Sequence, residues 1–337
     1  MRLLRYIIRR LILLVPVLIG ALFVAFLLTR IVPGDPIERV AGPYASDEEV
    51  ERLRQKANLD KPFYHQFVIY LGDLARGDMG DSFYTGQPVK RDLSSRFGAS
   101  LELVLYSMVL AILLAIPLGM LSAVLRGSIP DHISRVISVL GVSVPVFWIG
   151  LVLLTIFYNK LKWLPGPTGR LPIGMDAPDN VTGLYTIDAL LDGNFSLWWA
   201  ATKALILPVV TIGITAMAPI ARMTRSTMID ALDSDYVRTS RSLGIPKRVI
   251  VLHHAFKNAI LPVLTLIAAV FGFLVGGEVL VEIIFSWNGL GLYSYNAILN
   301  SDFPAVQGFI LLVTAIYILI YLAVDVITAL IDPRVEF

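Results

Sequence analysis

Residues Phe303–Ile331 read FPAVQGFILLVTAIYILIYLAVDVITALI, an almost unbroken apolar run near the end of the chain. A helix of about 20 mostly apolar residues is long enough to cross the hydrocarbon core of a bilayer. The run contains one acid, Asp325, and no Lys or Arg. Apolar residues would surround the whole helix, which is typical of a helix in lipid or inside a bundle. The stretch therefore predicts a membrane span.

Five further stretches of this kind precede it in the chain. The composition agrees with so many spans, since 56% of the residues are hydrophobic and 16% are charged, against about 25% charged in soluble proteins. We therefore expect an all-α integral membrane protein, with residues 1–337 forming a single transmembrane domain of six spans. The five earlier predicted spans are Leu11–Thr29, Leu101–Leu125, Val136–Tyr158, Ala204–Ala221 and Ala259–Gly277.

Four arginines come before Leu11 and resemble the charged start of a signal peptide. The apolar run then continues to Thr29 with no small-residue cleavage site, so an uncleaved first span is expected. Basic residues mark the cytoplasmic side of short loops. They are concentrated at the N-terminus, at Arg126 and Arg135, in residues 222–258 and at Arg334, whereas Glu278–Asp302 contains no Lys or Arg. This distribution predicts that both termini are cytoplasmic.

Two external loops follow from this orientation, residues 31–98 and 159–203. The first contains Ser46-Asp-Glu-Glu49, a helix start with an acidic first turn. Asp47–Ala57 and Pro62–Ala75 both have the pattern of amphipathic helices. We expect a small ordered cap on the outer face.

The cytoplasmic loop 222–258 has the pattern of a short helix between two breaks. Ser234 or Asp235 is suited to begin it, Gly244 supplies a left-handed end, and Pro246 prevents its continuation. A second helix is expected from Lys247 back into the membrane. Residues recurring at helical spacing, and expected to form one face of the short helix, are Tyr236, Val237, Ser240 and Leu243.

Such a helix, held crosswise at the membrane surface, suits docking into a groove on another protein. From physics alone, a basic loop lying on anionic lipid headgroups explains the segment equally well. The motifs within the segment favour docking. Arg238-Thr239-Ser240 followed by Gly244, and then Asn258-Ala259-Ile-Leu-Pro262, resemble the EAA loop of ATP-binding-cassette importer permeases of the peptide and nickel branch.

The resemblance to these permeases extends along the chain. It is carried by Ile31-Val-Pro-Gly-Asp-Pro36, Leu59-Asp-Lys-Pro62, Gly77-Asp-Met-Gly80, Pro145-Val-Phe-Trp148, Arg222-Met-Thr-Arg225 and Phe285-Ser-Trp-Asn-Gly-Leu-Gly291. In the last motif Asn288 stands where the family usually has proline. The chain is similar to the B subunit of dipeptide and oligopeptide permeases.

This resemblance implies a type I importer fold and a set of partners. These are a second homologous permease subunit, two ATPase subunits and an extracytoplasmic solute-binding protein, in a bacterial or archaeal plasma (inner) membrane. The short helix would be the coupling helix that contacts an ATPase. The residues implied in ATPase coupling are Asp235, Tyr236, Val237, Arg238, Thr239, Ser240, Leu243, Gly244 and Ile245.

The chain contains no Gly-x-x-x-x-Gly-Lys-Ser/Thr phosphate loop. ATP and magnesium are therefore expected on partner subunits, with no cofactor in this chain. No catalytic motif and no metal site is predicted, since the adjacent His253 and His254 would point about 100° apart on a helix. The net charge of +2 gives no indication of nucleic acid as a partner.

Three acids lie in or beside the predicted spans: Glu102, Glu278 and Asp325. An acid in the membrane is costly unless it is paired or hydrated, and it is a functional candidate for that reason. Glu102 and Glu278 lie near helix ends, where we expect them at the interface without any special partner. For Asp325, which is further inside, structural pairing is favoured over a role in gating.

A stand-alone secondary transporter or channel is the alternative function. It predicts paired charges at mid-membrane and an inverted repeat, whereas the sequence has one such acid and no clear repeat. An intramembrane enzyme would need clustered His, Asp or Glu within the spans, which the sequence lacks. The transported solute remains open among dipeptides, oligopeptides, glutathione, nickel complexes and sugars.

Overall fold

The computed structural model of the chain describes residues 2–31, 46–56 and 58–331. These residues form an all-helical structure, and within these ranges the β-structure is limited to an isolated antiparallel bridge between Asp81 and Pro88. The fold class predicted from the sequence is confirmed at this level. The helices are α1 (Arg2–Ile31), α2 (Asp47–Lys56), α3 (Phe63–Ala75), α4 (Val89–Val124), α5 (Ile129–Ser143), α6 (Val146–Lys160, π-helical over Leu154–Lys160), α7 (Tyr185–Leu191), α8 (Phe195–Leu232), α9 (Asp235–Ser242), α10 (Lys247–Val275, π-helical over Ile250–Ala255), α11 (Val279–Ile284), α12 (Leu290–Leu299) and α13 (Phe303–Ile331).

Four of the described helices, α4, α8, α10 and α13, are long and apolar enough to cross a membrane. The pair α5–α6 makes a fifth if the two helices are one bent span, and α1 contains a shorter apolar stretch over Val15–Thr29. The six spans and the cytoplasmic location of both termini stay predictions. Arg334 and most of the Ile31–Pro36 motif lie outside the described residues.

The third predicted span, Val136–Tyr158, is not one straight helix. α5 ends at Ser143 and α6 begins at Val146, and their axes differ by 102°. Val144 is extended (φ −86°, ψ 127°) because a residue that precedes proline is disfavoured in the helical region. Pro145 then has no N–H to continue the hydrogen-bond ladder. The sequence predicted one span over this stretch, but the structure contains a complete break.

α4 and α8 extend well beyond the spans predicted within them. α4 begins at Val89 instead of Leu101, and α8 continues to Leu232, so that the loop expected from Arg222 starts as helix. The side chain of Asn194 accepts a hydrogen bond from the Leu197 N–H (3.0 Å) at the start of α8, which caps this helix. Because α8 continues past Ala221 to Leu232, α9 begins three residues after the end of this long helix.

Gly119 of α4 allows this helix to pack closely against α8. A Cβ atom at Gly119 would lie 2.6 Å from the Thr224 Cβ and 2.7 Å from the Ala221 carbonyl oxygen. Buried side chains of the same two helices, including Leu103, Met108, Ile212 and Ile220, form the main apolar core. These two helices therefore make up the centre of the bundle.

The helices α2 and α3, which precede α4 in the chain, form where the sequence predicts them, although Ala57 lies outside the described residues. Ser46 caps α2 by accepting a hydrogen bond from the Glu49 N–H (3.3 Å). α3 packs on α1 through aromatic rings, with Phe67 5.3 Å from Phe23 and 5.4 Å from Phe26 between ring centroids.

Candidate functional site

The short helix α9 is the first candidate site, and its start differs from the prediction. Ser234 occupies the N-cap position with an extended backbone (ψ 156°), but its side chain makes no capping hydrogen bond. Its hydroxyl instead donates to the Ala231 carbonyl at the end of α8 (2.5 Å). Ser234 therefore stabilises the turn between α8 and α9 and not the first turn of α9.

The four residues expected on one face of α9 divide into two sets. Val237 is fully buried and Ser240 is 7% exposed, whereas Tyr236 and Leu243 are 41% and 74% exposed. Successive helical positions differ by about 100°, so Val237 lies a quarter-turn or more from Tyr236 and Leu243. One face of α9 is attached to the bundle, and the neighbouring face presents two large apolar side chains.

The end of α9 has the geometry that the sequence predicts. Gly244 has φ +72°, and its N–H donates to the Arg241 carbonyl (3.0 Å) while the Ile245 N–H donates to the Ser240 carbonyl (3.2 Å). Pro246 is then the N-cap of α10. This left-handed glycine reverses the chain and sets the angle between α9 and α10.

An apolar cluster holds α9 in place. Val237 packs with Ala123 of α4, Met228 of α8, and Ile250 and Ala255 of α10. α4, α8 and α10 therefore meet at the buried face of α9. A groove of about 390 Å³ lies beside this cluster and is lined by Val124, Leu232, Arg241, Ile245, Lys247, Ile250 and Val251.

The remaining predicted coupling residues are polar and lie on the outside. Arg238 and Asp235 form an exposed ion pair at 3.4 Å, and the Thr239 hydroxyl donates to the Asp235 carbonyl (3.0 Å). An exposed ion pair of this kind adds little stability. These charged groups lie on the same short helix as the exposed Tyr236.

Glu102 is not the unpaired interfacial acid that we expected. Its side chain is 1% exposed and forms a buried ion pair with Arg170, at 2.7 Å between Nη2 and Oε2. The Thr186 N–H and hydroxyl both donate to Oε1 (2.8 and 2.7 Å). Arg170 also donates to the Gly183 carbonyl (2.7 Å) and stacks over the Tyr185 ring at 3.4 Å. This network attaches the segment between α6 and α8 to α4.

The other two acids, Glu278 and Asp325, are both half-buried. Glu278 is half-buried at the N-cap position of α11, and burial raises the pKa of its carboxyl above the usual value. Asp325 lies in α13 and is half-buried. The roles of both residues stay predictions.

Glu282 is a buried acid that the sequence reasoning missed. The Ser100 hydroxyl donates to its Oε1 (2.8 Å) and the Leu292 N–H donates to its Oε2 (2.7 Å). Burial raises the pKa of Glu282, and these hydrogen bonds offset part of the rise. The carboxylate lies at the first turn of α12, where exposed N–H groups favour negative charge. The signal in the sequence was an acid inside the apolar segment Val279–Ile284.

Gly289 leaves the space that this carboxylate occupies. A Cβ at this position would overlap the side-chain oxygens of both Glu282 and Ser100. We expect Gly289→Ala to destabilise the protein by about 1–3 kcal/mol, as overpacking does elsewhere. The midpoint of thermal inactivation in detergent measures the effect.

Gly72→Ala in α3 is the matched control, since no atom lies within 4 Å of the added Cβ. Alanine is favoured over glycine inside a helix, so this variant should be unchanged or slightly more stable. Equal midpoints for the Gly289 and Gly72 variants would contradict the packing described here.

A second missed cluster joins α4, α5 and α8 near the base of α9. Arg225 of α8 makes a two-point ion pair with Asp131 of α5, at 2.7 Å from Nε to Oδ1 and 3.0 Å from Nη2 to Oδ2. Ser122 of α4 and the Gly127 N–H also donate to this carboxylate (2.5 and 3.0 Å). The sequence had singled out Arg222-Met-Thr-Arg225 as a motif, but its partner was not predictable.

Four described helices that are long and apolar enough to cross a membrane define a multi-pass membrane protein. Comparison with known families agrees with this. Residues 115–337 match the family model described as "Binding-protein-dependent transport system inner membrane component", and residues 3–104 match the corresponding N-terminal model. The chain belongs to this family and is a permease subunit of an ATP-driven importer, located in the plasma membrane.

Individual relatives match nearly the whole chain. A probable D,D-dipeptide transport system permease protein of Escherichia coli K12 is 43% identical over 96% of this chain and 94% of its own length. A dipeptide transport system permease protein of Alkalihalophilus pseudofirmus is 40% identical over 99% of this chain and 100% of its own. A glutathione transport system permease protein of Escherichia coli K12 is 36% identical over 99% of both chains.

Proposed function

We propose that this chain forms half of the translocation pathway of an importer for short peptides, and that α9 transmits the force of ATP hydrolysis. The other half would be a second homologous permease, with two ATPase subunits at the cytoplasmic face and a binding protein outside. The observation that carries the proposal is the exposed pair Tyr236 and Leu243 on a helix whose neighbouring face, with Val237 and Ser240, is buried in the bundle.

The exposed apolar pair needs a cover, and nothing in the described part of this chain provides one. Leu243 is 74% exposed at the end of α9, and the same helix carries the exposed charges of Arg238 and Asp235. An apolar centre with a polar rim is the usual composition of a protein–protein contact. An ATPase groove that receives α9 would bury both side chains.

ATP and magnesium belong to the partner in this proposal, because the chain has no phosphate loop. Closure of the ATPase pair would displace α9, and the bundle would change between inward-facing and outward-facing states as packed bodies. Six spans with cytoplasmic ends fit this arrangement if α1 is the first span and α5–α6 is the third, broken at Val144. The cluster of basic residues in 222–258 supports the orientation.

Short peptides are the cargo class that the relatives favour. Two of those described above are named for dipeptides and one for glutathione. Oligopeptides, nickel complexes and sugars are the competing cargoes. The test is uptake by the complete complex reconstituted in liposomes with its binding protein, comparing labelled dipeptides, glutathione, nickel and glucose.

Leu243→Asp tests the docking role in the same complex. A charge in the buried centre of an interface is costly, so we expect uptake and ATPase stimulation by the binding protein to fall about 10-fold or more. The fold should be intact because the side chain is exposed. Co-purification of the partner subunits on a tagged chain is measured in parallel.

Ser242→Asp, which places the same charge one residue earlier on a different side of the helix, is the control. It should retain most of the uptake. If Leu243→Asp transports normally, or if the purified chain moves solute without an ATPase, the stand-alone transporter becomes the better explanation.

A further inference from the structure

We propose that Arg225 and Asp131 are positioning residues of energy transduction, which clamp the α4–α5 turn and α5 to α8 so that a displacement of α9 moves all of them together. This inference rests on the proposed coupling function of α9. It concerns a cluster outside α9 whose residues touch neither nucleotide nor cargo in that proposal.

The clamp is a buried and fully bonded carboxylate. The side chain of Asp131 is 1% exposed, and three donor groups converge on it: the Arg225 guanidinium, the Ser122 hydroxyl and the Gly127 N–H. Two parallel bonds from a planar guanidinium fix orientation as well as distance. The pair therefore resists both sliding and rotation of α5 against α8.

Two further contacts extend the attachment along α8. On one side of the clamp, Gly119 of α4 packs closely on Thr224, the residue before Arg225. On the other side, Arg126 in the α4–α5 turn pairs with Asp233 at 3.3 Å. Asp233 is the C-cap residue of α8, two positions before α9 begins. Both side chains of this pair are exposed (63% and 69%), so the pair places the turn beside the segment that carries α9 but adds little stability of its own.

α5 follows α8 beyond the clamp. A Cβ at Gly141 would lie 3.0 Å from the Ala218 Cβ and 3.2 Å from the Ile214 carbonyl oxygen, so the two helices are in close contact two to three turns from Asp131. α5 then ends at the 102° break before α6. In this proposal the interrupted backbone at Val144 and Pro145 is the joint between α5 and α6; α6 also contacts α8, where a Cβ at Gly150 would lie 3.5 Å from the Thr211 Cγ2.

The buried cluster at the base of α9 completes the attachment. Val237 of α9 shares one apolar core with Ala123 of α4, Met228 of α8 and Ile250 of α10. Packed cores transmit displacement because they are dense and have discrete arrangements. The apolar core resists separation of these helices, and the ion pair adds the fixed direction that non-directional packing lacks.

The first experiment is Arg225→Met in the reconstituted complex, with peptide uptake and ATP hydrolysis measured on the same preparation. We expect peptides transported per ATP hydrolysed to fall about 5-fold or more, the range of typical coupling between sites. A merely structural residue would change the amount of assembled complex and leave this ratio unaltered. Arg222→Met is the control, since Arg222 is exposed one turn earlier on α8, and its ratio should match that of the natural chain.

Arg225→Lys covers the case in which Arg225→Met does not assemble, because it keeps the charge and loses the two-point geometry. For this variant, the number of peptides transported per ATP hydrolysed should lie between the value of the natural chain and that of a fully uncoupled complex. The proposal is overturned if a variant that assembles, Arg225→Met or Arg225→Lys, transports as many peptides per ATP hydrolysed as the natural chain. If Leu243→Asp uncouples the complex while these variants do not, the clamp fails and the proposed function stands; if Leu243→Asp also transports normally, the proposed function fails first.

A cross-link tests whether the clamped parts move as one. The chain has no cysteine, so Arg126→Cys with Asp233→Cys can be joined by a short bismaleimide in a complex whose other subunits also lack cysteine. We expect uptake after cross-linking to equal uptake before it. Mass spectrometry of proteolytic fragments verifies that the cross-link has formed. Loss of uptake on cross-linking would mean that the turn and α8 separate during the cycle, which overturns the proposal.

Discussion

Gly244→Pro is expected to abolish coupled uptake while the subunit still inserts and assembles in the membrane. Gly244 has φ +72°, whereas proline is restricted to about −65°. The substitution also removes the N–H that bonds to the Arg241 carbonyl and disfavours the near-helical backbone of Leu243. Such a misfit costs about 3 kcal/mol or more, so the last turn of α9 should unwind and displace Leu243.

The measurement is peptide uptake together with ATP hydrolysis stimulated by the binding protein. Uptake should fall about 10-fold or more, since 3 kcal/mol corresponds to roughly a 100-fold change in an equilibrium. Gly244→Ala should have a smaller effect, because its Cβ meets no atom within 4 Å and the left-handed conformation alone costs about 1–2 kcal/mol.

Gly193→Pro is the matched control for position. Gly193 also has a positive φ (+68°) and no neighbour within 4 Å of an added Cβ, and its N–H also bonds back to a helix, at the Leu190 carbonyl (3.1 Å). It follows α7 rather than α9. The same backbone damage there should leave uptake per ATP hydrolysed unchanged, and normal coupling in Gly244→Pro would refute the assignment of α9.

Arg170→Met is expected to cause the largest loss of stability among single charge removals outside the α9 region. It leaves the Glu102 carboxylate buried with Thr186 as its remaining donor among the contacts described above, and it removes the bond to Gly183 and the stacking on Tyr185. Removing one partner of a buried ion pair costs about 3–5 kcal/mol, because the other charge stays uncompensated. The midpoint of thermal inactivation should fall by roughly 5–10 °C.

Two comparison variants separate the buried charge from other effects of the substitution. Arg76→Met removes one partner of an exposed pair with Asp73 and should cost less than about 1 kcal/mol. Adding Glu102→Gln to Arg170→Met removes both charges and should recover most of the loss. A midpoint for Arg170→Met equal to that of Arg76→Met would show that the Glu102 pair does not contribute as described.

Local features were predictable from the sequence because they depend on residues within a turn or two. The apolar length of Phe303–Ile331, the cap at Ser46 and the stop at Gly244-Ile245-Pro246 all form as expected. In each case the interactions that set the conformation are backbone sterics, capping and helix length, which involve neighbours in the chain. The EAA-like segment was instead identified from its resemblance to permease motifs, since physical reasoning alone left a loop on lipid headgroups equally possible.

The buried charges depended on tertiary structure, because their partners are distant in the chain. Arg170 meets Glu102 across 68 positions, Arg225 meets Asp131 across 94, and Ser100 meets Glu282 across 182. A uniformly apolar helix gives no indication of which side faces its neighbours, so these pairs were not predictable. α9 is mostly polar, and the sequence did not indicate which of its apolar neighbours, Val237 or Leu243, would be buried. By itself the sequence determined the all-helical class and local stops such as Gly244; the tertiary structure decided which charges are buried together, since only contact between helices removes them from water.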